Sequence, residues 1–469
     1  MTDNGERRSI AIVGGGPGGY VAAIRAAQLG AKVTLIEKGN LGGTCLNVGC
    51  IPTKALVVAA EVLETARRAG EFGIEVKGVG VNFTQVMERK QKVVNQLVSG
   101  VAGLLRANRV EVVKGEASIS QPGLVTVKGE GTPQEVRADS VILATGSVSA
   151  RPPIPGLDLP GVVTSNEMVS LEKVPENLVI IGGGYIGMEM AAIYQPMGAK
   201  ITIIEMLPGI LPQTDDELAR RYHQIARQQG LQINVKSTVK EIRQTADKKL
   251  EVLYTSPEGD KSAVGDAVLV ATGRVPFTEG IEVEKLGLKM DRRAVAVDDY
   301  MQTNVPGVYA IGDVTGKIML AHVASYQGEV AVENILGRRR RADYRAVPGC
   351  IFTIPEIASV GLTEQQAMEQ GIEVKVSKMP YAAMGRPITM GETAGLVKIV
   401  CDKVTEAIVG VHIMGARATD IIAEAVLAIQ MEALAEDLVL TIHAHPTLPE
   451  VIHEAAMGQF EGPIHYFRR

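Results

Sequence analysis

The chain has 469 residues, which at about 150 residues per domain predicts roughly three domains. Hydrophobic residues make up 46% and charged residues 22%, so each domain can bury a core, and disordered, collagen-like and small disulfide-rich proteins are excluded. The net charge of -5 does not mark a basic surface, and 6 Phe and 11 Tyr with no Trp leave few rings to stack on bases, so we expect no nucleic-acid partner.

The first predicted unit, residues 9–37, has the order of a dinucleotide-binding fold. An apolar strand from Ser9 is followed by the turn GGGPGG, an Ala-rich helix, Gly30 and a second strand that ends at Glu37. The glycines of its G-x-G-x-x-G motif are Gly14, Gly16 and Gly19. They are expected to make a tight turn, to admit a pyrophosphate and to let helix and strand pack closely, in that order. Glu37 would then accept hydrogen bonds from a ribose.

We predict neither a signal peptide nor a membrane span. The eight residues before Ser9 are too few for a signal peptide. The richest apolar stretch, residues 21–36, is interrupted by Arg25 and Lys32 and falls short of the roughly 20 apolar residues that a spanning helix needs. Four cysteines do not suit a secreted, disulfide-stapled fold. We therefore expect a cytoplasmic protein with no membrane partner.

The segment GGTCLNVGCIPTK, residues 42–54, holds two of the four cysteines, Cys45 and Cys50. In a straight helix their Cα atoms would lie roughly 8–9 Å apart, beyond the limit of about 7 Å for a disulfide, so a bridge needs a distorted turn. Pro52 is tolerated in a first helical turn, which predicts a helix that starts near residue 51. Helix amides and Lys54 would then stabilise a Cys50 thiolate. A redox-active pair is favoured over inert buried cysteines, and a zinc site lacks further ligands nearby.

A second unit repeats the first. Residues 178–205 contain the glycines Gly182, Gly184 and Gly187, and Glu205 follows the last of them by 18 positions, as Glu37 follows Gly19. Two such copies are strong evidence for two dinucleotide sites. Each is followed by an apolar strand that runs into a small-residue turn, VILATGS (141–147) and VLVATGR (268–274), and the proline-rich residues 151–161 are the best linker. We expect Pro196 to end the second helix early.

The last third of the chain has another pattern. The strand and Gly-Asp turn VPGVYAIGDVTG (305–316) place Asp313 where it could accept from a polyol, although a plain turn residue is an alternative. Alternating strands after Val347 and a helix near 418–431 predict a separate α+β domain. The apolar stripe of that helix could form a subunit interface or pack within the domain. Its members are Ile421, Ile422, Ala425, Val426 and Ile429.

Near the C-terminus, HAHPTLPE (443–450) places His445 before a proline, five residues ahead of Glu450. A carboxylate at that spacing can fix an imidazole, and thiol–disulfide exchange needs a proton acceptor near neutral pH. A structural histidine is the alternative for either histidine of the motif.

On these motifs the chain resembles the pyridine nucleotide-disulfide oxidoreductases over nearly its full length. The resemblance implies an α/β fold with two Rossmann-like dinucleotide-binding domains and a C-terminal α+β dimerisation domain. Its implied boundaries are 1–148 for the FAD-binding domain, 149–276 for the NAD-binding domain, 277–346 for a central domain returning to the FAD domain, and 347–469 for the interface domain.

The resemblance also implies roles for individual residues. Those matching the family's FAD contacts are Gly14, Gly16, Gly19, Glu37, Lys54, Ala117, Thr145, Gly146, Asp313, Met319, Leu320, Ala321 and His322. Those matching its NAD contacts are Gly182, Gly184, Gly187, Glu205, Val239 and Gly273. Those matching its catalytic groups are Cys45, Cys50, Lys54, Glu189, His445 and Glu450, with Glu189 pairing the lysine near the flavin.

The motifs are most similar to the branch that oxidises protein-bound dihydrolipoamide with NAD⁺. That branch implies a homodimer that serves a lipoyl-bearing protein and the E2 core of 2-oxoacid dehydrogenase complexes, or a glycine cleavage complex. Another NAD(P)H-dependent disulfide reductase or a mercuric reductase is the runner-up, disfavoured because residues 451–469 lack cysteine and Glu205 is followed by Met-Leu-Pro instead of arginines. The alternative from another functional class is a flavoprotein that senses redox state or docks to a partner without catalytic turnover.

Some positions depart from the family pattern. Phe277 stands where many relatives have Asn, Gln327 where many have Glu, and AMGRP (383–387) replaces a common NSRA. These departures do not change the implied reaction, but they bear on which subgroup of the family the chain resembles and on the range of substrates it accepts. The arginine run 338–341 is interpreted as a solvated helix end, with docking of an acidic partner as the alternative.

Overall fold

The computed structural model describes residues 7–129 and 132–467. The ends of the first and last expected domains, residues 1–6 and 468–469, lie outside the described residues, as do residues 130 and 131.

The helices and strands follow one another in four groups along the chain. Residues 9–149 form β1 (Ser9–Val13), α1 (Pro17–Gln28), β2 (Lys32–Glu37), α2 (Gly43–Asn47), α3 (Cys50–Arg67), a 3₁₀ turn (Ala69–Phe72), α4 (Phe83–Ala107), β3 (Glu111–Lys114), β4 (Glu116–Gln121), β5 (Leu124–Lys128), β6 (Gln134–Arg137), β7 (Ser140–Leu143) and β8 (Ser147–Ser149). Residues 162–276 form β9 (Val162–Val163), α5 (Ser165–Met168), β10 (Asn177–Ile181), α6 (Tyr185–Tyr194), β11 (Lys200–Ile204), α7 (Asp216–Gln228), β12 (Gln232–Asn234), β13 (Thr238–Gln244), β14 (Leu250–Ser256), β15 (Gly259–Gly265), β16 (Ala267–Val270) and β17 (Arg274–Pro276). Residues 290–335 form β18 (Met290–Asp291), β19 (Ala294–Val295), β20 (Val308–Ala310), a 3₁₀ turn (Gly312–Thr315) and α8 (Ala321–Ile335). Residues 349–457 form β21 (Gly349–Ile351), β22 (Glu356–Gly361), α9 (Glu364–Glu369), β23 (Val374–Pro380), a 3₁₀ turn (Tyr381–Ala383), α10 (Gly385–Met390), β24 (Leu396–Asp402), β25 (Ile408–Gly415), α11 (Ala418–Gln430), α12 (Ala435–Leu440) and α13 (Glu450–Met457).

The two dinucleotide units have the same sheet order. The first parallel sheet runs β3-β2-β1-β7-β20 and the second runs β12-β11-β10-β16-β9. The inner strands β1, β7, β10 and β16 are largely apolar and buried, as expected of parallel sheets covered on both faces. Each unit adds a three-stranded antiparallel sheet, β4-β5-β6 or β13-β14-β15. Helix α6 ends at Tyr194, as Pro196 predicts.

The fifth strand of each sheet comes from a different place in the chain. In the second unit it is β9, which precedes the fingerprint, whereas in the first it is β20, which arrives only after the whole second unit. Residues 305–335 therefore complete the first sheet, and α8 packs along α1 on its face.

Two short strands carry the chain between the units. Strand β8 leaves the first unit and β17 returns from the second, and they pair antiparallel so that Ser149 lies opposite Arg274 and Ser147 opposite Pro276. The ends of the two ATG turns, one from each unit, are thereby held side by side.

The C-terminal unit is an antiparallel sheet, β21-β22-β25-β24-β23, covered by α11 and α13. The apolar stripe on α11 packs inside this unit: Ile422, Ala425 and Ile429 are buried in its core, and Ile421 and Val426 pack against it. Packing within the domain, one of the two alternatives, is therefore confirmed for Ile422, Ala425 and Ile429, whereas Ile421 and Val426 stay partly exposed.

Helix α3 is the core helix between the two units. The stretch Gly43–Arg67 includes an 18-residue window of mean hydropathy 1.5, long and apolar enough to cross a membrane, so the richest apolar stretch is here and not at residues 21–36. Its residues Leu56, Val57 and Ala60 are buried against side chains of the second unit, and 44% of the window is buried. Packing within the protein accounts for this apolar face.

Three of the four guanidinium groups in the run 338–341 have partners within the chain. Arg339 donates to Tyr300 at 3.2 Å, Arg340 pairs with Glu329 and Glu333 at 3.5 Å, and Arg341 pairs with Asp299 at 2.7 Å. The run follows the end of α8 at Ile335, and these contacts favour the interpretation as a solvated helix end over a surface that docks an acidic partner.

Candidate active site

The glycines of the two fingerprints have the same geometry. Gly14 and Gly182 have φ of 106° and 109°, and a Cβ there would lie 2.3 or 2.4 Å from the carbonyl oxygen of Ala144 or Ala271. Only glycine fits this turn, because the turn packs against the carbonyl group of the alanine in the ATG motif.

The middle glycine of each motif is the open position. A Cβ on Gly184 would meet no atom within 4 Å, and one on Gly16 would meet only the Gly43 Cα at 3.9 Å. The third glycines, Gly19 and Gly187, pack on the carbonyl oxygen of the first, which an added Cβ would approach to 1.8 or 2.2 Å. Each turn therefore leaves room for a pyrophosphate at a helix N-terminus that has no side-chain cap.

The acidic residues that end the second strands are held by backbone amides. Glu37 accepts from the amides of Gly15 and Gly39, both at 2.6 Å, and Glu205 accepts from those of Gly183 and Leu207 at 2.6 and 2.7 Å. One amide in each set comes from the fingerprint itself, so each carboxylate is fixed at the edge of its nucleotide turn.

Ala117 and Val239, which are predicted to contact FAD and NAD, lie at equivalent positions in the two units. The amide of Gly115 donates to the Glu37 carbonyl at 3.0 Å, and the amide of Ser237 donates to the Glu205 carbonyl at 2.9 Å. Ala117 and Val239 each follow two residues later, at the start of an antiparallel strand. The internal repeat thus extends to these residues.

The cysteines lie in a broken helix. Helix α2 ends at Asn47 and α3 begins at Cys50, close to the predicted start at residue 51. The break lies at Val48 (φ -140°, ψ 10°) and Gly49 (φ -125°, ψ -114°), whose non-helical backbone supplies the distorted turn that the pairing requires. Both cysteines are half-buried thiols in this structure.

The two thiols have opposite pKa shifts. A hydrogen bond from the Cys45 side chain lowers the pKa of Cys50 to about 7, against the opposing effect of burial and with help from the Lys54 charge. The same hydrogen bond, followed by burial, raises the pKa of Cys45. In the reduced pair the thiolate is therefore Cys50 and the proton stays on Cys45.

Lys54 is anchored by the second unit and by the C-terminal unit. Its Nζ donates to both oxygens of Glu189 on α6, at 2.9 and 2.8 Å, and lies 4.4 Å from the centre of the Phe352 ring. The Phe352 amide donates to Glu189 at 3.0 Å, and the Glu189 side chain is only 5% exposed. The contact with Phe352 was not predicted, because no motif marks that residue.

The first ATG turn is tied to the returning strand. Thr145 donates its hydroxyl to the Phe277 carbonyl at 2.7 Å, and the Phe277 amide donates to Gly146 at 2.9 Å. A Cβ on Gly146 or Gly273 would meet nothing within 4 Å, so both turns are open on one side. The Phe277 ring packs against the Lys38 ammonium at 4.3 Å, which gives the unusual residue a cation–π partner.

Asp313 lies at the end of the first sheet, in the 3₁₀ turn after β20. Its Oδ2 accepts from the Ser147 hydroxyl at 2.5 Å. The predicted stretch Met319, Leu320, Ala321 and His322 leads into α8, and His322 contacts the Pro348 carbonyl at 3.0 Å. Burial lowers the pKa of His322.

Gln327 is fully buried on α8, and both the oxygen and the nitrogen of its side-chain amide make hydrogen bonds. It accepts from the Gly312 amide at 2.6 Å and donates to the Tyr344 hydroxyl at 2.9 Å. A neutral amide supplies both an acceptor and a donor here, whereas a glutamate would have to be protonated to do the same.

The two histidines of HAHPTLPE have different surroundings. His443 is 7% exposed and contacts Glu424 at 2.7 Å and the Thr441 carbonyl at 2.8 Å. His445 is 78% exposed, follows Ala444 before a cis proline bond, and contacts Glu450 through Nδ1 at 2.9 Å. His443 is thus a structural residue, whereas Glu450 orients the imidazole of His445, whose Nε2 has no hydrogen-bond partner among the described residues.

Glu450 is held as a carboxylate. Burial opposes its ionisation, but the Thr447 amide at 2.7 Å and His445 outweigh it, so the pKa of Glu450 lies below its ordinary value. Among the described residues, no hydrogen bond or ion pair joins His445 to Cys45, Cys50 or Lys54 of the same chain.

Comparisons with known proteins agree with this arrangement. The family described as pyridine nucleotide-disulphide oxidoreductase matches residues 8–328, and its dimerisation domain matches residues 347–456. A dihydrolipoyl dehydrogenase of Geobacillus stearothermophilus is 44% identical over 461 residues, covering 97% of this chain and 96% of that protein. A mitochondrial dihydrolipoyl dehydrogenase of Pisum sativum is 40% identical over 467 residues, covering 98% and 93%.

Two solved structures are similar to this chain over almost its whole length. LpdA from Mycobacterium tuberculosis superposes with a TM-score of 0.89 at 27% identity, covering 97% of this chain and 100% of that one. The HOCl-induced flavoprotein disulfide reductase RclA from Escherichia coli gives 0.86 at 30% identity, covering 96% and 99%. Paired fingerprints, a thiol pair at a helix start and these matches along almost the whole length mean that the chain belongs to the pyridine nucleotide-disulphide oxidoreductase family.

Proposed function

We propose that the protein is a dihydrolipoyl dehydrogenase that oxidises protein-bound dihydrolipoamide with NAD⁺ through a resident FAD. The observation that carries the proposal is the thiol pair: Cys50 is set up as a thiolate beside Lys54, and Cys45 keeps the proton. A pair with such unequal pKa values suits thiol–disulfide exchange, in which one sulfur is attacked and the other leaves as thiolate. Its partners would be a second copy of the chain, a lipoyl-bearing protein and the E2 core of a 2-oxoacid dehydrogenase complex, in the cytoplasm.

The residues of the first unit fit FAD. The open turn at Gly16 would take the pyrophosphate, Glu37 a ribose, and the half-buried Asp313 the polyol. Lys54, Ala117, Thr145, Gly146 and the stretch 319–322 would complete the contacts. When bound, FAD supplies the two-electron carrier between the thiol pair and the nicotinamide.

The residues of the second unit fit NAD. Gly182, Gly184 and Gly187 would take its pyrophosphate, and Val239 and Gly273 would line its binding surface. Glu205 would accept from the ribose 2′-hydroxyl and repel a 2′-phosphate. The next residues, Met206 and Leu207, are exposed and carry no positive charge for a phosphate.

In the proposed exchange, the cysteine pair takes up two electrons from the substrate. A substrate thiolate attacks Cys45 of the oxidised pair, the Cys45–Cys50 bond breaks, and Cys50 leaves as the thiolate. The second substrate thiolate attacks the substrate sulfur of the mixed disulfide, which closes lipoamide and releases Cys45. The substrate loses two electrons and two protons, and NAD⁺ receives a hydride while one proton goes to solvent. His445, oriented by Glu450, would take the substrate thiol proton.

The activity test compares three acceptors with one enzyme preparation. Purified protein should be yellow with about one FAD per chain, and NADH should reduce lipoamide far faster than glutathione disulfide or Hg²⁺. Among the described residues no group of three or more His, Cys, Asp or Glu could hold a metal ion. A colourless protein, or glutathione disulfide as the best substrate, would contradict the proposal.

Nucleotide choice depends on Glu205. Glu205→Ala should lower the ratio of kcat/KM for NAD⁺ to that for NADP⁺ by roughly tenfold or more. The change removes both the acceptor for the ribose 2′-hydroxyl and the charge that repels a 2′-phosphate. The matched variant is Glu37→Ala, at the same place in the first unit. It should weaken FAD retention and leave the nucleotide ratio unchanged. Equal kcat/KM for NAD⁺ and NADP⁺ in the unaltered enzyme would show that Glu205 does not select the nucleotide.

A further inference from the structure

Asp313 is connected to the second unit through two side chains. Its Oδ2 accepts from the Ser147 hydroxyl at 2.5 Å, and the Ser147 Oγ in turn accepts from Arg274 Nε at 2.7 Å. Arg274 also donates from Nη2 to the Ser147 carbonyl at 2.7 Å. The three residues come from three segments: the turn after β20, the start of β8 and the start of β17.

The direction of these hydrogen bonds follows from their chemistry. A guanidinium can only donate, so Ser147 Oγ must accept from Arg274. The single hydroxyl proton of Ser147 is thereby aimed at Asp313 Oδ2. The other oxygen of Asp313 accepts no hydrogen bond from any residue that the structure describes, so its acceptor capacity is unused within the described chain.

The chain of hydrogen bonds joins the ends of the two ATG turns, because Ser147 follows the first and Arg274 the second. Burial raises the phenol pKa of Tyr185, the first residue of α6, and the charges of Arg274, Asp313, Glu189 and Cys50 all act on that phenol. Ser147 itself is 7% exposed, so its hydroxyl does not exchange partners freely with water.

We propose that Ser147 and Arg274 are positioning residues, which hold the Asp313 carboxylate so that one oxygen is presented to the polyol of the flavin. This inference rests on the proposed function, because it takes FAD as the ligand of the first unit. Its consequence is that a residue of the NAD unit, Arg274, contributes to FAD retention without contacting FAD.

The test measures FAD dissociation constants of the purified holoenzyme and its variants by flavin fluorescence. Ser147→Ala should weaken FAD binding roughly tenfold or more, the loss expected for a hydrogen bond to a charged group. Ser147→Thr, which keeps the hydroxyl, should restore most of the affinity. Arg274→Met should weaken binding in the unaltered background and have little further effect in Ser147→Ala, because the arginine acts through the serine.

Ser149→Ala is the matched control. Ser149 lies on the same strand opposite Arg274, its side chain makes no hydrogen bond with the described residues, and its backbone pairing survives the change. It should retain FAD like the unaltered enzyme. Additive effects of Ser147→Ala and Arg274→Met, or FAD retention in Ser147→Ala equal to that in Ser149→Ala, would overturn the inference. If the unaltered protein and Ser149→Ala also fail to bind FAD, the proposed function itself is wrong.

Discussion

Serine at either cysteine of the pair should reduce dihydrolipoamide oxidation by about 10⁴-fold or more, because neither variant can form the Cys45–Cys50 disulfide that accepts the electrons. The two variants should nevertheless differ. Cys45→Ser keeps Cys50 beside Lys54, and a serine hydroxyl at position 45 can still donate to the thiolate. Cys50→Ser removes the sulfur whose pKa is lowered.

The measurement that separates them is the visible spectrum of the flavin. Cys45→Ser should show a long-wavelength band from a thiolate next to the flavin, and Cys50→Ser should not. In the reduced unaltered enzyme the same band should depend on pH. Because the pKa of Cys50 is lowered to about 7, the thiolate is present above that pH and is lost as the pH falls through it.

The control for these variants is Cys401→Ala. Cys401 is buried in the C-terminal core, where burial raises its pKa to about 12, and it lies outside the site. Its replacement should leave both turnover and spectrum as they are. Interchangeable spectra for Cys45→Ser and Cys50→Ser would show that the two sulfurs do not have the assigned roles.

Features of the site that depend on neighbouring residues in the chain could be predicted from the sequence. The fingerprint turns, the start of α3 at the cysteines and the end of α6 before Pro196 are all set by glycine and proline geometry within a few residues. The repeated spacing from Gly19 to Glu37 and from Gly187 to Glu205 also has a local cause, since a helix and a strand of similar length separate each pair.

Features that join distant segments could not be predicted in this way. The strand β20 was recognisable as a strand, but only the family resemblance, and nothing in its own residues, implied that this part of the chain returns to the first unit, where β20 pairs with β7. The contacts of Phe352 with Glu189 and Lys54 likewise join three parts of the fold. The stripe on α11 shows the same limit, because apolar periodicity identifies a buried face without identifying what buries it.

His445→Gln should reduce dihydrolipoamide oxidation by a factor on the order of 10² or more, as expected when a general base is lost, while NADH still reduces the flavin. Glutamine keeps the size and a hydrogen-bond donor toward Glu450 but cannot take a proton. His223→Gln, on the outer helix α7, is the control and should behave like the unaltered enzyme.

The base should belong to the site of the other subunit. Within its own chain the His445 side chain is 78% exposed and makes no hydrogen bond or ion pair with the thiol pair among the described residues. The nearby apolar residues Leu440 and Ile442 are also exposed, at 72% and 97%. An apolar surface of this kind next to the histidine is suited to cover by a second copy, and the unit that carries it matches a dimerisation domain.

Mixed dimers test this directly. A chain with His445→Gln paired with a chain with Cys45→Ser has one site in which intact cysteines meet an intact histidine, provided that the histidine acts across the interface. Each parent homodimer should be nearly inactive, and the isolated mixed dimer should recover about half of the activity of the unaltered dimer, because its second site lacks both groups. If the histidine acted within its own chain, every site in the mixed dimer would lack either the disulfide or the base, and no activity would return.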